Sequence, residues 1–154
     1  MKTVIYVKYC IFVKSNIHFF ISFEYASSTN ISTKGKHMPT QEHPFWNLAL
    51  PQGKLLLTPC PGTLSTPLPT ALEQLKEQGA ATLITLITPH EMKEKKLDGF
   101  ADAVAAAGLE WLHLPITDDD SPKDPFEENW QRALPKLEQQ LNAGSAIAIH
   151  CMGG

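Results

Sequence analysis

ATLITLI, Ala81 to Ile87, decides how the rest of the chain reads. Seven residues are too few for a helix, and the run is polar on neither face. A short, β-branched, apolar segment of this kind is a strand covered on both sides, as in a parallel sheet. Parallel neighbours need crossover connections, so helices are expected before and after it.

Both are present. Upstream, Ala71 to Gln78 reads as an amphipathic helix, with Leu68, Leu72 and Leu75 at helical spacing and Gly79 as its stop. Downstream, Thr88-Pro89-His90-Glu91 has the form of a capping box, with Thr88 as N-cap, Pro89 in the first helical position and Glu91 three residues after the cap. The same alternation continues outward. Gly53 to Thr58 (GKLLLT) is a short strand stopped by Pro59, Pro61 and Gly62, and Phe100 to Ala107 is a helical piece closed by Gly108. Glu110 to Ile116 (EWLHLPI) is another strand. A longer helix begins at Asp124 and carries Phe126, Trp130, Leu134, Leu137 and Leu141 as one stripe, with Pro135 expected to bend it. Ser145 to Ile149 (SAIAI) is the last strand. Strand and helix alternate throughout, which predicts an α/β fold: a mainly parallel sheet, right-handed crossovers, and helices on both faces.

Length and composition agree with one such domain. The chain has 154 residues, 43% hydrophobic and 19% charged, enough for one core and too few for two. Its character changes at Met38. All 12 prolines lie beyond that point, while all three tyrosines and four of the seven phenylalanines lie before it. Residues 1–37 hold five lysines and one glutamate, net +4, and residues 38–154 are net −7, giving −3 for the whole. Residues 1–37 are therefore read as an extension outside the domain, and 38–154 as the domain. Lys8 and Lys14 interrupt the greasy N-terminal stretch, so no run reaches the ~18 apolar residues of a membrane span, and a secretory signal is disfavoured. No basic field is available to hold a nucleic-acid backbone. Three cysteines, Cys10, Cys60 and Cys151, show no repeated spacing and fit reduced thiols in a cytoplasmic setting. Cys60, His113 and His150 are too scattered for a metal site, and no cofactor is expected.

Ligands of parallel sheets bind beyond the carboxyl ends of the strands. That rule selects the loops after Ile87, Ile116 and Ile149. The last of these begins His150-Cys151-Met152-Gly153-Gly154. Glycines let successive backbone N–H groups converge on an anion such as phosphate, and such a field favours the thiolate of Cys151.

His150 to Gly154 resembles the first half of the HCxxGxxR[S/T] loop of cysteine-based protein-tyrosine and dual-specificity phosphatases. LTPCPGT (Leu57 to Thr63), ATLITLIT (Ala81 to Thr88) and WLHLPITDDDSP (Trp111 to Pro122) extend the resemblance to a bacterial group similar to the kinase-associated phosphatases. It covers most of residues 45–154. The resemblance implies a metal-free phosphatase acting on a phosphorylated protein or small phosphate ester. Cys151 is then the nucleophile that forms a phosphocysteine, His150 orients the loop and tunes the thiol, and Met152, Gly153 and Gly154 supply the phosphate-binding backbone. Asp118 is the general acid, with Asp119 and Asp120 as neighbouring candidates. The family loop continues through two residues to an arginine, then Ser or Thr, then a helix. None of these lies within the 154 residues, whose sole arginine is Arg132. The chain is accordingly expected to be an incomplete domain lacking the C-terminal helices, inactive by itself and bare on one face of its last strand. Two other readings stand beside this one: a non-catalytic phosphatase-like chain with at most a binding role, and a rhodanese-like sulfurtransferase.

Overall fold

The computed structural model describes residues 42–116 and 124–153. The expected extension over residues 1–37 lies outside them. Within them the elements run β1 (Trp46–Ala49), β2 (Lys54–Thr58), α1 (Leu68–Glu77), β3 (Ala80–Thr85), α2 (Pro89–Glu94), α3 (Phe100–Ala106), β4 (Glu110–His113), α4 (Asp124–Asn142) and β5 (Ala146–His150). The described strands form one sheet in the order β1-β2-β5-β3-β4. All neighbours pair in parallel except β1, which lies antiparallel on β2 at the edge.

That edge strand is the one element the pattern missed. WNLA is short and mostly exposed, so it carries no hydrophobic alternation. What makes it a strand is the turn that follows, in which Leu50 N–H donates to Gly53 O at 3.3 Å. Gly53 adopts φ +70°, and a Cβ there would lie 2.5 Å from Ser145 O and 2.9 Å from Leu141 O. Both obstacles are backbone and cannot swing aside. Gly53→Ala is therefore expected to cost on the order of 3 kcal/mol, from left-handed strain plus displaced chain. Chemical denaturation read as a midpoint shift checks this; an unshifted midpoint would contradict it.

β5 is central, between β2 and β3, and all five of its residues are buried. Along β2, β5 and β3 one face presents Leu56, Ala148 and Leu83, which pack with Leu72 and Leu75 of α1 and with Phe100 and Val104 of α3. The opposite face presents Ile147 and Ile149, and α4 packs along β5. The expectation of a bare face on the last strand is thus overturned. Ile147 and Ile149 are 2% and 5% exposed, because an amphipathic helix of 19 residues is long enough to lie over the strand that follows it. Phe126, Trp130 and Leu137 of its stripe are buried, and Pro135 is carried within the helix without ending it.

α4 is also held by polar contacts. Lys136 Nζ donates to Glu110 Oε1 at 2.7 Å, and Thr82 Oγ1 donates to Gln140 Oε1 at 2.8 Å, tying the helix to β4 and β3. The capping box forms as expected: Glu91 N–H donates to Thr88 Oγ1 at 3.3 Å and Thr88 N–H to Glu91 Oε2 at 2.7 Å. It starts α2 immediately past the carboxyl end of β3. α1 begins three residues earlier than expected, at Leu68, since Pro67 supplies an extended N-cap.

Candidate active site

The parallel strands all point their carboxyl ends to one edge of the sheet, and the register places side chains there in a row. Thr58 of β2 pairs with His150 of β5, His150 with Thr85 of β3, and Thr85 with His113 of β4. Side chains in register share a face. A polar row therefore crosses an otherwise apolar sheet just before the loop that carries Cys151. Burial without partners would cost each group several kcal/mol, so the bonds made along this row define the site.

At its centre His150 is 1% exposed. Its Nε2 lies 2.8 Å from Thr85 Oγ1, and its Nδ1 lies 3.0 Å from Cys151 O. Phe100 flanks the ring, with centroids 5.7 Å apart. A carbonyl can only accept, so Nδ1 carries the proton. Burial pushes the imidazole down to about 4; the bond to the Cys151 carbonyl opposes this, while His113 and His43 reinforce it. The ring is neutral at pH 7, which leaves Nε2 as an acceptor. At the next place in the row, His43 Nε2 lies 2.6 Å from Thr58 Oγ1, which is within reach of Pro44 O at 3.0 Å and Pro59 O at 3.1 Å. His43 is buried too, and burial lowers its pKa.

The loop after β5 is pinned on both sides. Leu86 N–H donates to His150 O at 3.0 Å, and Cys60 N–H donates to Met152 O at 3.2 Å. These bonds fix more than position. Within a trans peptide, C=O and N–H point in opposite directions. With the Cys151 carbonyl turned to His150, the Met152 N–H must point away from His150. With the Met152 carbonyl turned to Cys60, the Gly153 N–H must point away from Cys60. Two carbonyls are thereby turned into the flanks of the loop and two donors are turned out of them, as an anion site requires. Met152 packs its side chain against the core, whereas Gly153 is exposed and a Cβ on it would meet nothing within 4 Å.

Cys151 itself is partly exposed, unlike Cys60, which is buried in the core. Burial pushes the Cys60 thiol up to about 12, and the nearby Cys151 adds to the rise. The two thiols of the domain therefore have opposite accessibility. At pH 8 iodoacetamide is expected to label Cys151 in the folded chain and leave Cys60 unlabelled until denaturant is added. Peptide mapping by mass spectrometry reads this, and equal labelling of both in the native chain would contradict it.

Of the residues anticipated from sequence, His150, Cys151, Met152 and Gly153 lie together at this edge. Gly154 and the acidic candidates Asp118, Asp119 and Asp120 lie outside the described residues. The approach to the acidic loop is described. Leu114 N–H donates to Thr85 O and Ile116 N–H to Leu86 O, each at 2.9 Å, so the chain runs along β3 to the same edge. Arg132 is exposed on α4 and reaches Asn129 Oδ1 at 3.5 Å along the same helix. Sequence reasoning missed Thr85 and Phe100, which contact His150, and Trp111, which bonds to Thr85. One signal was present: Thr85 is a hydroxyl inside a buried apolar strand, where it must find a partner. Among the described residues no cluster of three or more His, Cys, Asp or Glu could hold a metal, and no helix is long and apolar enough to cross a membrane.

The family described as "Polymorphic toxin system, DSP-PTPase phosphatase" matches residues 61–154, more than half of the chain. Among solved structures, the fold is similar to kinase associated phosphatase (KAP), in a form with its catalytic-site cysteine changed to serine. That match has 18% identity and a TM-score of 0.60, and covers 74% of this chain and 67% of that one. It is also similar to a chain from Leishmania major assigned as a protein tyrosine phosphatase, at 21% identity and TM-score 0.50, covering 67% of this chain and 60% of that one. A DUF442 chain from Shewanella putrefaciens CN-32 matches at 22% identity and TM-score 0.50, covering 73% and 62%. The chain thus spans about two thirds of the first and about three fifths of the other two, and at these identities the likeness is one of fold. No curated protein matches the chain.

Proposed function

The chain belongs to the polymorphic toxin system DSP-PTPase phosphatase family, and on that premise we propose that its domain hydrolyses phosphate monoesters, on a protein or a small molecule, through a cysteinyl-phosphate formed at Cys151. The observation that carries the reading is the placement of Cys151: a partly exposed thiol directly after a buried strand end, on a loop pinned at His150 O and Met152 O. The Cys151 thiolate attacks phosphorus and the bond to the ester oxygen breaks. That oxygen leaves with a proton from the acidic loop, in which Asp118 is the assigned acid. Water then attacks the phosphocysteine, giving its proton to the same carboxylate, and releases inorganic phosphate and the thiolate. The backbone N–H groups of Met152, Gly153 and Gly154 bind the phosphoryl oxygens.

Family membership favours this reading over a sulfurtransferase. Turnover by residues 1–154 alone is expected to be slight, since the guanidinium that would complete the loop is not among them. The test is hydrolysis of an aryl phosphate by the chain with and without a continuation through x-x-Arg-[Ser/Thr] and a helix, each beside Cys151→Ser. Hydrolysis that survives Cys151→Ser would remove Cys151 from the mechanism. Reading the codons that follow Gly154 is the independent check: x-x-Arg-[Ser/Thr] in frame supports the reading, and a stop or unrelated sequence there removes it for this product.

A further inference from the structure

Behind the thiol loop lies a chain of hydrogen bonds with a single consistent direction. Trp111 Nε1–H donates to Thr85 Oγ1 at 2.8 Å. An indole nitrogen can only donate, so Thr85 accepts there. The Thr85 hydroxyl is 2.8 Å from His150 Nε2. Since the His150 Nδ1–H is committed to Cys151 O at 3.0 Å, a neutral ring can only accept at Nε2, and the hydroxyl gives its proton to it. Every group is then satisfied: indole to hydroxyl, hydroxyl to imidazole, imidazole to carbonyl. A charged ring would break this order. Nε2–H and the indole N–H would both point at the one hydroxyl oxygen, whose own proton would have no partner in the relay. Thr85 is fully buried and Phe100 packs on both rings of the relay, 6.1 Å from Trp111 and 5.7 Å from His150. Trp111 is further held by stacking on His113, whose Nε2 lies 2.7 Å from Ile87 O. Each member is thus fixed by packing as well as by its bonds.

The geometry points to Thr85 and Trp111 as positioning residues of the thiol site: through His150 they hold the Cys151 carbonyl turned into the sheet edge, and so keep the Met152 N–H turned out of it. This inference rests on the proposed role of Cys151 and goes beyond it, because neither residue belongs to the thiol loop. Among the described residues, the titratable side chains that act on His150 are His43, from the segment before β1, and His113, from β4. Neither is a carboxylate, and the orienting partner of the ring there is the Thr85 hydroxyl. Loss of the relay frees the carbonyl, lets the loop donors turn, and leaves the thiolate less well stabilised.

The test uses the 154-residue chain and three variants, Thr85→Val, Thr85→Ser and Trp111→Phe. Nitrogen-15 NMR of the imidazole is expected to show wild-type His150 neutral and protonated on Nδ1 from pH 6 to 8. In Thr85→Val the Nε2 resonance moves downfield as its donor is lost, and Cys151 alkylation at pH 7 slows about tenfold. Thr85→Ser restores both to near the wild-type values, which a mere loss of packing volume would not allow. Trp111→Phe keeps the aromatic contact with Phe100, removes the first donor, and slows alkylation a few-fold. The inference is overturned by an Nε2–H tautomer in the wild type. It is equally overturned if Thr85→Val folds and alkylates at the wild-type rate, whether or not the ring resonance moves. The proposed reaction is judged separately, by turnover in Cys151→Ser. A failed relay with Cys151-dependent turnover removes only Thr85 and Trp111, and an intact relay with Cys151-independent turnover removes the reaction instead.

Discussion

Hydrolysis of an aryl phosphate by these 154 residues is expected to rise about 10³-fold or more when the chain is continued past Gly154 through two residues to an arginine, a Ser or Thr and a helix. The size of the effect follows from what the described residues hold. They supply a thiol, a neutral imidazole behind it, and backbone donors turned away from the flanking strands, at the carboxyl edge of the sheet. Nothing there carries positive charge, because burial keeps His150 neutral. A phosphoryl group in transfer spreads charge over its equatorial oxygens, and a guanidinium fork matches two of them at once. The helix after it would aim further N–H groups at the same oxygens. Arg132 cannot serve in its place: it is exposed on α4 and engaged along its own helix. The continued chain should lose its turnover again on Cys151→Ser. Replacing Asp118 by Asn is expected to slow it by about 10²-fold or more, while Asp119→Asn and Asp120→Asn leave it largely intact. Rapid hydrolysis by the unextended chain would show that the loop needs no guanidinium.

Acid should destabilise the fold well above the range in which carboxylates titrate. His150 has a folded-state pKa of about 4 against an ordinary 6.5. A lowered pKa means that the unfolded chain takes up the proton first, below about pH 6.5, while the native ring resists until about 4. Stability contributed by the neutral ring is thus complete above pH 6.5 and is lost as pH falls towards 4. The gap amounts to about 3 kcal/mol. For a domain of this size that lowers the thermal midpoint by roughly 10 °C or more. His43, also lowered by burial, acts in the same direction. Thermal scans of the wild type and His150→Asn across pH 4–7 separate the two histidines, because the variant keeps only the His43 part of the slope. A wild-type midpoint that stays level across this window would mean that the ring is charged inside the fold, and the bond order through Thr85 would fall with it.

Much of the architecture was legible because its causes are local. ATLITLI is apolar on both faces, Thr88 and Glu91 satisfy each other's backbone across one turn, and the Phe126 to Leu141 stripe repeats at the helical period. Each signal lies within a few residues, so a linear reading finds it. β1 escaped because its strand character comes from pairing with β2 rather than from its own pattern. Asp118 to Asp120 lie outside the described residues, and the chain leading to them runs along β3 as far as Ile116.

The relay and the loop's orientation belong to the other category. From the sequence alone came the alternation of strand and helix, the carboxyl-edge location of the thiol, and the pairing of His150 with Cys151 as candidates. Tertiary structure alone decided that Thr58, His150, Thr85 and His113 form one row, since the row depends on the strand order β2-β5-β3-β4 and on register. Thr85 and His150 are 65 residues apart in the chain and 2.8 Å apart in space. A buried polar group must be satisfied, and sequence can state that demand; which partner meets it is settled only when strands distant in the chain come to lie side by side.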